Sequence, residues 1–213
     1  MHIAILGAGQ VGSSLAKAWA KHGHFILLGT RDPQSEKIQA LLAELTQLGS
    51  PTPQAADGAT VVQKTEVIVL STPWAAAEAT LHSCGDLKGK ILIDCTNPIG
   101  PGFTLTHGHS TSGAEQVATW ANGARVYKSF NQTGYEGIAH PLFEGRRAVM
   151  FVCGDESEGK QVVLRLTEEV GFEAVDAGSL ASARLLEPYA MLWIKLAMNF
   201  GQGRTFAFGL LRR

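Results

Sequence analysis

The sequence predicts an α/β protein built on a doubly wound, mainly parallel sheet with a small helical segment at its C-terminal end. Three observations carry this expectation. Seven short apolar runs, at residues 2–6, 25–28, 66–70, 90–94, 125–129, 148–153 and 172–176, alternate with longer amphipathic stretches. Each run is rich in Ile, Val, Leu or Phe, as strands covered on both faces require. A glycine-rich turn separates the first run from the first helical pattern. Strand followed by helix, repeated, gives right-handed parallel crossovers. With 45% hydrophobic and 17% charged residues among 213, one sizeable core can form, so a single domain over residues 1–213 is expected.

Helical periodicity places helices at residues 11–22, 34–47, 74–84, 113–122 and 159–170. A last helical segment at 180–199 contains Glu187-Pro188, and the tail GQGRTFAFGLLRR follows it. The C-terminal segment from about residue 180 to 213 is expected to pack back on the sheet or on a second subunit. Residues 98–112 (PIGPGFTLTHGHSTS) are too polar for a core and long for an α/β connection, which reads as a loop over a cleft.

Charge and cysteine usage exclude several classes. Eighteen basic against 19 acidic residues leave −1, which argues against a nucleic-acid face or a polybasic membrane patch. No apolar run approaches a membrane span. Cys84, Cys95 and Cys153 show no CxxC spacing and fit neither a disulfide framework nor a zinc site. His107 and His109 form an HGH pair, too few ligands for a metal, so no metal is expected. His22, His24, His82 and His140 lack partners at ligand spacing and are expected at the surface or as caps. The start MHIAILGAGQ has no basic leader region or cleavage site, and a reducing cytoplasm is the expected compartment.

The first run ends in Gly7-Ala8-Gly9-Gln10-Val11-Gly12, a G-x-G-x-x-G between strand and helix. Gly7 permits the tight turn, Gly9 lets the backbone approach a pyrophosphate, and Gly12 lets helix and strand pack closely. The free N–H groups of the helix start then face the phosphates. This makes the sheet Rossmann-type and the ligand a dinucleotide. The second run ends Leu28-Gly29-Thr30-Arg31-Asp32. An NAD site would put a carboxylate at that tip for the ribose 2′-hydroxyl. Here Thr30 offers a hydroxyl and Arg31 a planar fork suited to a 2′-phosphate, which selects NADP(H). Asp32 can turn to solvent or cap the next helix, and Ser35 and Lys37 could add donors.

Three further strand tips follow: Ser71-Thr72-Pro73-Trp74, Thr96-Asn97-Pro98, and Ser129-Phe130-Asn131-Gln132. They carry hydroxyls, amides and one indole, with no Ser/His/Asp set and no carboxylate pair. Neutral hydrogen-bonding walls suit a reaction whose chemistry the cofactors carry, and hydride transfer is one. Each residue also has a plainer role open to it. Pro73 and Pro98 can terminate strands, Asn97 and Asn131 can cap helices or bond loop backbone, and Trp74 can pack.

GAGQVG, GTRDP, STPW, IDCTNP, KSFNQ, FVCGD with GFEAVDAGSLASARLLEP, and the tail MNFGQG…FGLL together resemble the coenzyme F420-dependent NADP oxidoreductase family. The same pattern is similar to the cytosolic reductase domain of the STEAP metalloreductases. The resemblance covers essentially the whole chain. It implies NADP(H) on the glycine loop, with Ala8, Gln10 and Val11 joining the contacts and Thr30-Arg31 at the 2′-phosphate. It also implies Ser71, Thr72, Pro73 and Trp74 on the nicotinamide side, with Asn97 and Asn131 nearby. The reaction implied passes a hydride between nicotinamide C4 and C5 of the deazaflavin F420, or onto a flavin. The partner is then a small-molecule redox cofactor, expected to dock under the 98–112 loop. Thr72 and Asn131 are the candidates for setting the ring separation. A homodimer built partly by the C-terminal segment is implied as well. In one departure, Ser35 stands where archaeal members carry Lys four residues beyond the Arg.

Three other readings compete. A flavin or ferric reductase of the STEAP kind would use free flavin as a shuttle. Lys195 and Asn199 form K-x-x-x-N, which resembles the catalytic pair of the β-hydroxyacid dehydrogenases, but the 14 residues after Asn199 are too few for their substrate domain. A non-catalytic NADP(H) sensor would bind NADPH without oxidising it.

Overall fold

Strand β1 (His2–Leu6) runs between two parallel neighbours, β2 (Phe25–Gly29) and β4 (Val67–Leu70), and is covered on both faces. Its side chains divide by alternation. Ile3 and Ile5 enter one apolar core, and Ala4 and Leu6 the other. In β4 the same alternation sends Val67 and Val69 one way and Ile68 and Leu70 the other. The computed structural model describes all residues, 1–213.

The chain continues outward from this centre in two directions. On one side β3 (Gln54–Ala56) pairs with β2 and forms the edge. On the other come β5 (Ile91–Asp94), β8 (Arg125–Lys128), β11 (Val149–Gly154) and β12 (Glu173–Asp176). The order is β12-β11-β8-β5-β4-β1-β2-β3. Helices α1 (Gln10–Ala20), α2 (Glu36–Gln47) and α7 (Ser157–Val170) contribute Leu15, Trp19, Leu41, Leu45, Val163 and Leu166 to one core. Helices α3 (Gly58–Gln63), α4 (Trp74–Ser83) and α5 (Gly113–Trp120) fill the other with Val61, Leu81 and Val117. The Trp19 indole N–H donates to the Leu166 carbonyl at 2.9 Å and locks α1 to α7.

The structure departs from plain alternation at β11, which runs antiparallel to β8 and pairs only through Cys153↔Lys128 and Gly154↔Tyr127. Between them the chain makes only the short α6 (Tyr135–Ala139) and a hairpin of β9 (Leu142–Phe143) with β10 (Arg146–Arg147). Without a full crossover helix the chain re-enters from the same end. The start of β11 therefore runs on beyond the tip of β8. Gln132 completes the missing ladder, donating to the Phe151 carbonyl (2.9 Å) and accepting from its N–H (3.0 Å).

Residues 98–112 hold a small hairpin, β6 (Ile99–Gly100) with β7 (Thr104–Leu105). The last helical segment is a 3-10 turn, Leu180–Ser182, followed by α8 (Ala183–Met198), which carries Pro188 within it. The tail then folds back on the chain. Trp193 Nε1 donates to the Phe206 carbonyl (2.9 Å), and Val149 N donates to Phe208 O (3.1 Å). His24, expected at the surface or as a cap, is instead buried and bonded to Glu169 at 2.8 Å. All three cysteines are buried and unpaired. No helix is long and apolar enough to cross a membrane.

Candidate functional site

The site grows from the carboxyl ends of β1, β2, β4, β5 and β8. Gly7 has φ +100°, and a Cβ there would lie 2.9 Å from the Ser71 carbonyl carbon. At Gly12 a Cβ would meet Ser71 Oγ at 2.6 Å, so only glycine lets α1 start against β4. Ser71 closes this contact, its hydroxyl within 2.9 Å of Gly7 O. Gly9 differs, because a Cβ there would meet nothing within 4 Å. The space above the helix start is open, as a bound phosphate needs.

On one side of the loop lies a cavity of about 550 Å³ between Gly7, Ala8, Thr30, Arg31, Thr72 and Thr80. Arg31 is exposed and makes no ion pair. Asp32 is turned away into a local turn, accepting from Gln34 N at 3.2 Å. Ser35 does not line this cavity; its hydroxyl donates to Asp32 O at 3.0 Å. Asp57 does line it, a residue from a stretch with no apolar pattern. Its carboxylate caps α3 through the Thr60 hydroxyl (2.7 Å) and N–H (2.9 Å), which hold it below its ordinary pKa.

On the other side two smaller cavities adjoin, sharing Val11, Ser71, Pro73 and Asn97. The first, about 390 Å³, is walled by Thr72, Trp74, Cys95 and Ile99. Trp74 packs against Trp120 at 5.1 Å and receives the His107 ring edge-on at 5.5 Å, which ties the 98–112 segment to the site. The second, about 350 Å³, adds Gln10, Asn131, Thr133, Tyr135, Trp193 and Arg204. Arg204 ion-pairs with Glu136 (2.6 Å) and lies 5.5 Å from the Tyr135 ring centre and 5.9 Å from that of Trp193.

Asn97 and Asn131 face one another across neighbouring tips and bond reciprocally. The Thr72 and Thr133 hydroxyls are buried without any hydrogen-bond partner. Such orphans are uncommon and fit a ligand that supplies the partner, as a nicotinamide carboxamide would. Burial, and secondarily Asp94, push the Cys95 thiol well above its ordinary value, so it stays protonated. No group of three or more His, Cys, Asp or Glu side chains converges to hold a metal ion. Lys195 and Asn199 are exposed and line none of these cavities.

Sequence reading missed Tyr135, Trp193, Arg204 and Asp57. Only their convergence in space marks the first three, which come from α6, α8 and the tail.

A profile of the family described as NADP oxidoreductase, coenzyme F420-dependent, matches residues 2–98, from β1 through the tip of β5. The F420-dependent NADP reductase of Methanothermobacter thermautotrophicus is 30% identical over 209 residues, 92% of this chain and 89% of that one. The chain belongs to the coenzyme F420-dependent NADP oxidoreductase family. Within it, the match to residues 2–98 takes in the glycine loop, Arg31, Ser71–Trp74 and Asn97. Metalloreductase STEAP3 of Rattus norvegicus is 32% identical over 87% of this chain, which spans only 35% of that protein's length. A crystal structure of a candidate F420-dependent NADP reductase from Arthrobacter sp. FB24 superposes with a TM-score of 0.86 at 32% identity, covering 100% of both chains.

Proposed function

We propose that this family member exchanges a hydride between NADP(H) and coenzyme F420 within a single domain. The adenosine half of the dinucleotide occupies the cavity beside Arg31, whose guanidinium takes the 2′-phosphate. The pyrophosphate lies over Gly9 at the start of α1. The nicotinamide and the deazaflavin stack in the two adjoining cavities, where Val11, Ser71, Pro73 and Asn97 are common to both. That shared boundary is the observation that carries the reading. Two ring-sized spaces that meet at one wall can hold two planar carriers face to face, at a near-attack separation of roughly 3–3.5 Å.

The groups around this boundary position and do not exchange protons. The Thr72 hydroxyl and the Asn97 amide orient the rings, Asn131 braces Asn97, and Tyr135, Trp193 and Arg204 wall the acceptor. NADPH, F420 and one solvent proton become NADP⁺ and reduced F420. The exposed apolar side chains Leu185, Leu192, Met198 and Phe200 support a homodimer through the C-terminal segment, and the buried free thiols suit a reducing cytoplasm.

Anaerobic oxidation of NADPH, with F420 and with FMN or FAD offered in parallel, tests the reading. Rapid loss of the deazaflavin's visible absorbance with slow flavin turnover is expected. Rapid flavin reduction with F420 untouched would move the protein to the flavin or ferric reductases.

A further inference from the structure

Beneath the cleft three charged side chains are sealed from water. Lys128, at the end of β8, and Asp94, at the end of β5, are both 0% exposed and 2.7 Å apart. Glu187 of α8, also 0% exposed, lies 2.9 Å from the same ammonium. The third Lys128 donor goes to the Thr96 carbonyl at 2.7 Å, so all three of its protons are used. Asp94 accepts from Thr96 N (2.9 Å) and Thr96 Oγ1 (2.7 Å). Glu187 accepts from the first two N–H groups of α5, Gly113 (2.8 Å) and Ala114 (3.0 Å). Those N–H groups and the positive end of the α5 dipole offset the excess carboxylate charge.

Stability alone does not explain this cluster. Desolvating three charges is costly, and well-packed apolar side chains of similar volume commonly serve as well or better. Charges do provide direction, and this cluster fixes the parts that border the cleft. Thr96 is held at its N–H, hydroxyl and carbonyl, and the next residue is Asn97. Leu186, next to Glu187, accepts from Asn131 Nδ2 at 3.3 Å. Both halves of the Asn97–Asn131 pair therefore hang from the cluster. So do the two ends of the 98–112 segment, at Thr96 and at Gly113, where a Cβ would lie 3.1 Å from Glu187 Oε1.

We propose that Lys128, Asp94 and Glu187 act as positioning residues, holding the Asn97–Asn131 wall and the 98–112 segment in register for the nicotinamide ring. The proposal rests on reading the cleft as an NADP(H) site. None of the three lines the cleft's three cavities, so they act through Thr96, Asn97, Asn131 and Gly113 without touching substrate. The dinucleotide's main anchors, the glycine loop and Arg31, lie on other strands. Disturbing the cluster should loosen the ring and leave overall binding nearly intact.

Glu187→Gln keeps the volume and removes one charge. Its NADPH Kd, its kcat per NADPH-binding site and the fluorescence anisotropy of bound NADPH are compared with wild type. A Kd within about threefold, a kcat at least tenfold lower and reduced anisotropy are expected. Unchanged kcat and anisotropy overturn the proposal, and so does a loss confined to the number of binding sites, which is only a folding defect. Should Glu187→Gln not fold, Thr96→Val, which removes one hydroxyl bond to Asp94, gives the same split. Failure of wild type to bind NADPH would instead defeat the reading of the cleft. Binding without turnover leaves the anisotropy comparison to decide.

Discussion

Asn97 and Asn131 spend their amides on each other. Asn97 Nδ2 donates to the Asn131 carbonyl at 2.9 Å, and Asn131 Nδ2 donates to Asn97 Oδ1 at 3.0 Å. Asn131 is then fully committed, because it also donates to Leu186 O and accepts from Gln132 Nε2. Asn97 keeps one amide proton free, at the boundary common to the two ring-sized cavities. The two residues thus split a task, Asn131 bracing and Asn97 facing the ligand.

Asn131→Ala should therefore damage structure and rate together. It leaves Asn97 Oδ1 and one Gln132 amide proton without their partners, while Gln132 keeps its bonds to Phe151 and Leu186 O its place in the α8 ladder; each unsatisfied buried group costs about 1–3 kcal/mol. A clear fall in Tm and a kcat at least tenfold lower are expected. A melt that does not move would show that these groups find other partners.

Arg31→Ala should separate the two nicotinamide cofactors. Arg31 has no protein partner to lose, so the fold should not notice. NADPH binding should weaken by about 1.5–3 kcal/mol, the range for a charged hydrogen bond. NADH binding should stay within twofold. Titration of both cofactors against both proteins decides it, and equal losses would remove Arg31 from the 2′-phosphate.

Gly9→Ala and Gly12→Ala should part in the opposite sense from one another. A Cβ on Gly9 meets no protein atom within 4 Å but takes room from the pyrophosphate. Its Tm should hold while NADPH affinity falls at least tenfold. A Cβ on Gly12 collides with Ser71 Oγ and the Gly7 backbone, so Tm should fall before any ligand is added. Thermal melts with and without NADPH read both.

Lys195→Ala addresses the hydroxyacid reading. The side chain is exposed and lines none of the three cleft cavities, so kcat for NADPH oxidation should change less than twofold. A collapse in kcat would return Lys195 to the chemistry as an acid or base.

The centre of the sheet was legible because β1, β4 and β5 are apolar on both faces. The edge strand β3 was not, since Gln54-Ala55-Ala56 joins β2 through backbone pairing with no apolar signature. The reversal of β11 did leave a signal. No helical pattern long enough for a crossover separates the runs at 125–129 and 148–153. Gly7–Gly12, Arg31 and Ser71–Trp74 could be read because a tight turn, a phosphate and a strand tip each demand residue types at local spacing. Tyr135, Trp193 and Arg204 meet only after α6, α8 and the tail have packed. The Lys128–Asp94–Glu187 cluster spans 93 residues of chain and likewise has no local spacing to betray it.

Acid stability should depend visibly on Glu156, the cap of α7. Its carboxylate accepts from Gly159 N and Glu158 N at 2.9 Å each, and from Tyr127 and Arg125. The Gly159 and Glu158 N–H groups, ahead of the two side chains, hold its pKa down at about 2. An unfolded Glu titrates near roughly 4.3. The folded form therefore binds its proton less readily than the unfolded form. The stabilisation is complete above the unfolded value and drains away as pH falls through about 2. Asp57, Glu115, Glu136 and Asp176 are also held low and add to the same slope. Glu156→Gln cannot titrate, so it should be less stable than wild type at pH 7 and the difference should shrink by pH 3. Urea midpoints of both proteins at the two pH values measure this. A gap that stays constant would mean that Glu156 acts by shape and not by charge.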